Sequence, residues 1–190
     1  MTASKVFAIS GSLRADSHNT ALLRAARKFN PAGMEIEIYD GLRDIPPYDY
    51  DLDHPGLRPA VVEELRRKVL DADGLLIATP EFNYSIPGVL KNALDWLSTD
   101  WSKTEGLPLH RKPTAIMGAA PTNFGSVRAQ LALRQVFVWT DSDVVVKPEL
   151  VAFRSHERFD GEGELIDEGT VGILKDLLTA LQGKIDAARS

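Results

Sequence analysis

The chain has 190 residues, no cysteine, and 22 Lys plus Arg against 27 Asp plus Glu, a net charge of -5. At ~150 residues per domain this length predicts a single domain over residues 1–190, large enough to bury one core without cross-links. The composition excludes disulfides, thiol nucleophiles and cysteine-ligated metal or iron–sulfur sites, and the acidic balance argues against nucleic acid as a partner.

No run approaches the ~18 apolar residues of a membrane span. The start, Met1 to Lys5, enters strand-like sequence without the apolar region of a signal peptide. A cytoplasmic location is the expectation. Residues 5–10 (KVFAIS) form a short apolar run and read as a buried strand. Residues 20–29 put Leu22, Leu23, Ala26 and Phe29 on one side and Arg24, Arg27 and Lys28 on the other, which predicts an amphipathic helix. Residues 34–39 (MEIEIY) alternate, as an edge strand with one polar face does.

Residues 40–57, rich in Pro, Asp and Tyr, predict a surface loop. A helix follows over 59–71, with Pro59 in its first turn and Val62, Leu65, Val69 and Leu70 as its apolar face. The run 74–79 (GLLIAT) reads as a central strand covered on both sides. A helix is expected over 87–97, a strand over 113–118 and a helix over 127–138. A last strand over 144–146 is closed by Pro148, and a charged loop at 154–169 leads into a final helix near 170–188. Strands alternating with helices demand parallel pairing and right-handed crossovers. The fold class is therefore α/β, a doubly wound five-stranded parallel sheet with helices on both faces, either flavodoxin-like or a Rossmann half.

In such a sheet ligands bind beyond the carboxyl ends of the strands, so the loops after strands one, three and four carry the search. The first, Ser10 to Thr20, holds Ser12, Leu13, Arg14, Ser17 and Asn19 and ends at a helix N-terminus. Free backbone N–H groups there attract a phosphate, and Arg14 adds a charged contact. The loop lacks both the ATP-binding and the dinucleotide glycine patterns, so a single terminal phosphate suits it better. Helix capping accounts for one of its polar residues and not for the cluster. The second loop, Thr79 to Gly88, places Pro80, Glu81, Phe82 and Asn83 in a stretch stiffened by two prolines, suited to a flat heteroaromatic ring. Glu81 is either an acid or a structural carboxylate bonded to backbone N–H groups. The third loop, Gly118 to Ser126, reads as a strand-to-helix turn. His18, His54, His110 and His156 are scattered without metal-ligand spacing, and Asp160, Glu162 and Glu164 read as a solvated turn.

Four segments carry a resemblance: GSLRADSHN (11–19), TPEFNYSIPGVLKNALDW (79–96), RAQLALR (128–134) and KPE (147–149). In order and spacing the chain resembles the NADPH-dependent FMN reductases, flavodoxin-like quinone, chromate and azo-dye reductases. The resemblance implies noncovalent FMN, NADPH or NADH as electron donor, small-molecule acceptors, and a homodimer or a tetramer of dimers. It implies that Ser12, Leu13, Arg14, Ser17 and Asn19 hold the FMN phosphate end and that Pro80, Glu81, Phe82 and Asn83 border the isoalloxazine ring. The implied reaction is a ping-pong hydride transfer that needs no side-chain nucleophile, so no catalytic residue is assigned. Trp96, Trp101 and Tyr84 are either walls of that pocket or packing residues. Two departures stand out: Phe82 where the family has Tyr, and Ala120, Thr122, Asn123 and Ser126 in a loop where it has Ser and glycines. The rival readings are a flavodoxin-type electron carrier and a flavin-binding module; the mild charge argues against the carrier, since carriers tend to be strongly acidic.

Overall fold

The computed structural model describes residues 3–190, so Met1 and Thr2, part of the start read above, lie outside the described residues. Strand β1 (Ser4–Ser10) leads into helix α1 (His18–Phe29) and the edge strand β2 (Met34–Tyr39). Helix α2 (Ala60–Asp71), strand β3 (Gly74–Ala78) and helix α3 (Gly88–Leu97) follow. Then come β4 (Pro113–Ala119), α4 (Val127–Trp139), β5 (Asp143–Val144), β6 (Leu150–Ala152) and α5 (Glu168–Arg189). The sheet is parallel in the order β2-β1-β3-β4-β5, with β6 also paired to β4. This is the flavodoxin-like member of the two arrangements that the sequence left open.

The period of two along the strands sorts side chains into two cores. Val6, Ala8, Leu76, Ala115 and Met117 face α1 and α5, joined by Leu22, Leu178 and Leu181. Phe7, Ile9, Leu75, Ile77 and Ile116 face the opposite way, against Leu65, Leu90, Trp96 and Leu133 of α2, α3 and α4. All five residues of β3 are buried, as a central strand covered on both faces requires.

The fifth sheet position differs from expectation. A single strand at 144–146 was expected; the structure splits the position into β5 and β6. Pro113 faces Asp143 while Met117 faces Leu150, so this edge uses three more residues than β4 over the same length. Val146 points into solvent within the extra stretch, and Pro148, which looked like a terminator, sits there before pairing resumes. Leu70 is a second correction. It is partly exposed, and Arg66 takes the buried place on α2, donating Nη1–H to Trp96 O at 2.7 Å. Pro59 stands at the N-cap of α2, one residue before its first turn.

The 40–57 loop contains two short 3-10 turns, Gly41–Asp44 and Tyr50–Leu52. Its end is pinned by the fully buried Asp53, which accepts bonds from Arg58 Nε at 2.6 Å, Tyr48 Oη at 3.1 Å and Thr99 Oγ1. Burial alone would raise the Asp53 pKa, but the bonds from Thr99 and Arg58 outweigh it and hold the carboxyl below its ordinary range. Arg58 Nη1 also meets Glu105 Oε2 at 2.6 Å, tying the loop to the segment after α3.

Candidate active site

The three loops singled out by topology converge on one cleft of about 350 Å³ at the carboxyl end of the sheet. Ser12, Arg14, Ser17, His18 and Asn19 form its first wall, Pro80, Glu81 and Phe82 its second. The third wall is the stretch from Ala119 to Thr122 with Gly125 and Ser155. Position follows from the parallel sheet, in which every strand delivers its following loop to the same edge.

In the first loop, Ser17 is the N-cap of α1, its hydroxyl accepting from Asn19 N at 3.2 Å. Asn19 is buried and both ends of its amide are taken: Nδ2 donates to Ala119 O at 3.0 Å and Oδ1 accepts from Ala119 N at 2.9 Å. Asn19 therefore locks the first loop to the end of β4. Arg14 donates Nη2–H to Asp16 O at 2.6 Å, lines the cleft, and makes no ion pair with a carboxylate among the described residues. Ser12 Oγ accepts from Arg14 N at 3.4 Å. The first turn of α1 adds its outward N–H groups. One end of the cleft thus offers hydroxyls, a guanidinium and a helix N-terminus, a donor set suited to a phosphate monoester.

In the second loop, Glu81 proves to be the structural carboxylate. Its side chain is 7% exposed, and it accepts from Arg128 N at 2.9 Å, Ala129 N at 3.3 Å and Arg128 Nε at 2.5 Å. It caps the start of α4 and pairs with a guanidinium at once. That guanidinium lies 3.9 Å from the centre of the Tyr84 ring and 5.0 Å from that of Phe124. Phe82 and Ser85 exchange two backbone bonds of 2.9 Å around Asn83 and Tyr84, whose φ angles are 49° and 68°. This is a primed two-residue turn, for which Asn in first place is well suited.

Not every expected site residue reaches the cleft. Leu13 lines an adjoining hollow of about 480 Å³ with Phe82 and the start of α3. Asn83 sits in the exposed turn and lines neither. Of the three aromatic residues weighed as walls, Trp96 is fully buried and Trp101 is half exposed against Tyr50. Tyr84 is exposed beneath Arg128. Sequence reasoning singled out the third loop but read it as a plain turn, and it missed Arg128 and His18. Ala119–Thr122 line the cleft with small or compact residues. Gly118 behind them is obligatory, since a Cβ there would lie 2.2 Å from Thr79 O. Arg128 belongs to a segment that carried only a weak resemblance. His18 lines the phosphate end, its pKa lowered by burial and then by Arg14 and His156; a lone histidine beside a helix start gave no spacing signal.

A profile of the family described as NADPH-dependent FMN reductase matches residues 4–157. An NAD(P)H-dependent FMN reductase of Pseudomonas aeruginosa is 44% identical over 178 residues, 94% of this chain and 93% of that protein. A quinone reductase of Escherichia coli is 41% identical over 93% of this chain and 92% of its own length. Among solved structures, the flavoenzyme NAD(P)H:(acceptor) oxidoreductase FerB from Paracoccus denitrificans superposes with a TM-score of 0.85 at 29% identity, covering 97% of this chain and 98% of that one.

Proposed function

The chain belongs to the NADPH-dependent FMN reductase family, and we propose on that premise that it passes electrons from NAD(P)H, through FMN in the cleft, to quinones or similar small acceptors. The observation that carries the assignment is the single cleft with a phosphate-type donor set at one end and a rigid, proline-bounded aromatic segment at the other. Ser12, Arg14 and Ser17 hold the phosphate, and Asn19 keeps that loop at its distance from β4. Pro80, Glu81 and Phe82 border the ring, with Glu81 acting through its backbone because its carboxylate is engaged. Leu13 shapes the adjoining hollow, and Asn83 holds the turn that presents Phe82. The bound flavin supplies the two-electron chemistry between donor and acceptor. The protein's part is to fix the cofactor, keep one ring face open and exclude water around the rest.

The functional unit in this reading is a homodimer, or a tetramer built from dimers. Support comes from α4, where Leu131, Val138 and Trp139 are 55%, 81% and 85% exposed, beside a groove shared with α3. A cytoplasmic location goes with the need for an NAD(P)H supply; among the described residues no helix is long and apolar enough to cross a membrane.

The decisive experiment is the absorbance spectrum of the purified chain with and without added FMN, followed under anaerobic conditions as NADPH or NADH is supplied. Flavin bands that bleach on addition of either donor alone, and return with a quinone, support the reading. Bands that persist without a partner reductase point to an electron carrier, and failure to take up FMN defeats the assignment.

A further inference from the structure

His18 opens α1, and its ring is held on two sides by the chain beyond β6. Nδ1 lies 2.9 Å from Ser155 Oγ, and the ring stacks on Phe159 with centroids 4.6 Å apart and planes 7° from parallel. Both partners are themselves fixed. Ser155 is buried and donates its backbone N–H to Ala120 O at 3.1 Å, and Phe159 is buried in the core under α1 and α5. The imidazole is thus oriented by two loops at once. With Nδ1 engaged, Nε2 has no protein partner among the described residues, and the residue lines the same cleft as Ser12, Arg14 and Ser17.

The charges around the ring come from several elements. Arg14 and Asp16 belong to the β1–α1 loop, Arg24 to α1, His156 to the 3-10 turn that carries Ser155, and Asp160 and Glu162 to the turn beyond Phe159, which with Asp16 and Arg24 lines a second hollow beside His18. Burial first, then Arg14 and the neighbouring His156, disfavour the imidazolium. A phosphate dianion brought into the cleft reverses that balance, because an opposite charge within ~4–6 Å favours the protonated ring.

We propose that His18 is a phosphate-binding residue of the cleft: Ser155 holds Nδ1, Nε2 serves the FMN phosphate, and cofactor binding draws one proton from bulk buffer onto the ring. This rests on the assignment of the first loop to the FMN phosphate. It makes His18 a determinant of FMN over riboflavin, which lacks the phosphate and gives the ring no reason to protonate. The sign of the pH effect follows. A pKa that rises on binding adds affinity that is complete below the free-protein pKa and fades as pH climbs through that of the complex. Ionisation of free FMN, with a second phosphate pKa of ~6, weakens binding at the acid end by the same factor in every variant and cancels in their ratio.

The test is titration of flavin fluorescence with the flavin-stripped full chain, using FMN and riboflavin, from about pH 5.5 to about 8.5. Compared with wild type, His18→Gln should lose about tenfold in FMN affinity at the acid end and a few-fold at the alkaline end, as expected for loss of a charge-assisted bond. Riboflavin affinity should not change. Ser155→Ala, which keeps the imidazole but frees Nδ1, should fall between. Calorimetry of the wild type near pH 7.5 in two buffers of different ionisation enthalpy should show proton uptake with FMN and none with riboflavin. A wild-type to His18→Gln affinity ratio that is constant with pH, or an equal loss for riboflavin, overturns the proposal and leaves the functional assignment standing. Should the variants not fold, absence of wild-type proton uptake overturns it. If the wild type binds no FMN at all, the assignment of the cleft and this proposal fall together.

Discussion

Tyr39 ends β2 with its hydroxyl buried and without a hydrogen-bond partner. The next loop closes over it so tightly that a Cβ on Gly41 would lie 2.5 Å from its oxygen. Burial, helped by Glu64, Asp40 and Asp44, pushes the phenol from 10.0 up to about 12. The folded state therefore keeps a proton that the unfolded chain releases from pH 10 upward, and stability declines across that window as pH rises. Alkaline ultraviolet titration should show two of the four tyrosines ionising late, Tyr48, raised by burial and by Asp53, and Tyr39. Tyr39→Phe should remove its share of that late phase and leave the part that belongs to Tyr48. It should also leave unfolding free energy unchanged or raise it by ~1 kcal/mol in urea melts, because an unpaired buried hydroxyl is removed. Other residues show how far single positions are legible. The loop before α1 was expected to supply one cap without a named residue, and Ser17 is the one that caps the helix. Glu81 could not be resolved, because its partners lie at Arg128 and Ala129 in a different helix. His18 was invisible for a related reason: what makes it a site residue is Ser155, 137 positions away.

At the scale of elements, burial periodicity located each main strand and helix to within a residue or two. The fifth sheet position escaped it because β5 and β6 have two and three residues, too few for a period to show. On α4 the pattern is informative in the other direction. Ala129, Leu133 and Phe137 are buried, while Leu131, Val138 and Trp139 form a second apolar stripe with no partner in the monomer. A single chain gains nothing from exposing that stripe, which supports the proposal that it is a subunit contact. Trp139→Asp should shift the protein from dimer or tetramer to monomer in sedimentation velocity, with the circular dichroism spectrum retained. An unchanged sedimentation coefficient would place the contact elsewhere.

The two cores lie back to back on one sheet, and α5 returns to cover strands laid down at both ends of the sequence. Among the described residues both cores share the same strands, which supports a single cooperative unit. Thermal unfolding is expected as one transition, seen alike by near- and far-ultraviolet circular dichroism. FMN at about 100 times its Kd should add ~2.7 kcal/mol. For a chain of this size that is a rise of roughly 5–10 °C in Tm. Riboflavin at the same multiple of its own Kd serves as the control for flavin binding in general. The overall architecture was readable because strand, helix and loop alternate with distinct compositions, and the loops chosen from it brought Ser12, Arg14, Ser17, Asn19, Pro80, Glu81 and Phe82 to the cleft but not Leu13 or Asn83. Which side chains point into it depends on bonds made between loops, such as Asn19 with Ala119, that leave no trace in local sequence.

The divided strand has one more consequence. An open sheet ends in rows of unpaired N–H and C=O groups that can recruit a strand from another chain. Here one margin is β2, whose Glu35 and Glu37 would set like charges against any identical neighbour. At the other margin, the three surplus residues between β5 and β6 break the row, so no incoming strand finds more than a few consecutive sites in register. The irregularity that hid this strand from the sequence pattern also guards the protein against aggregating through its own sheet.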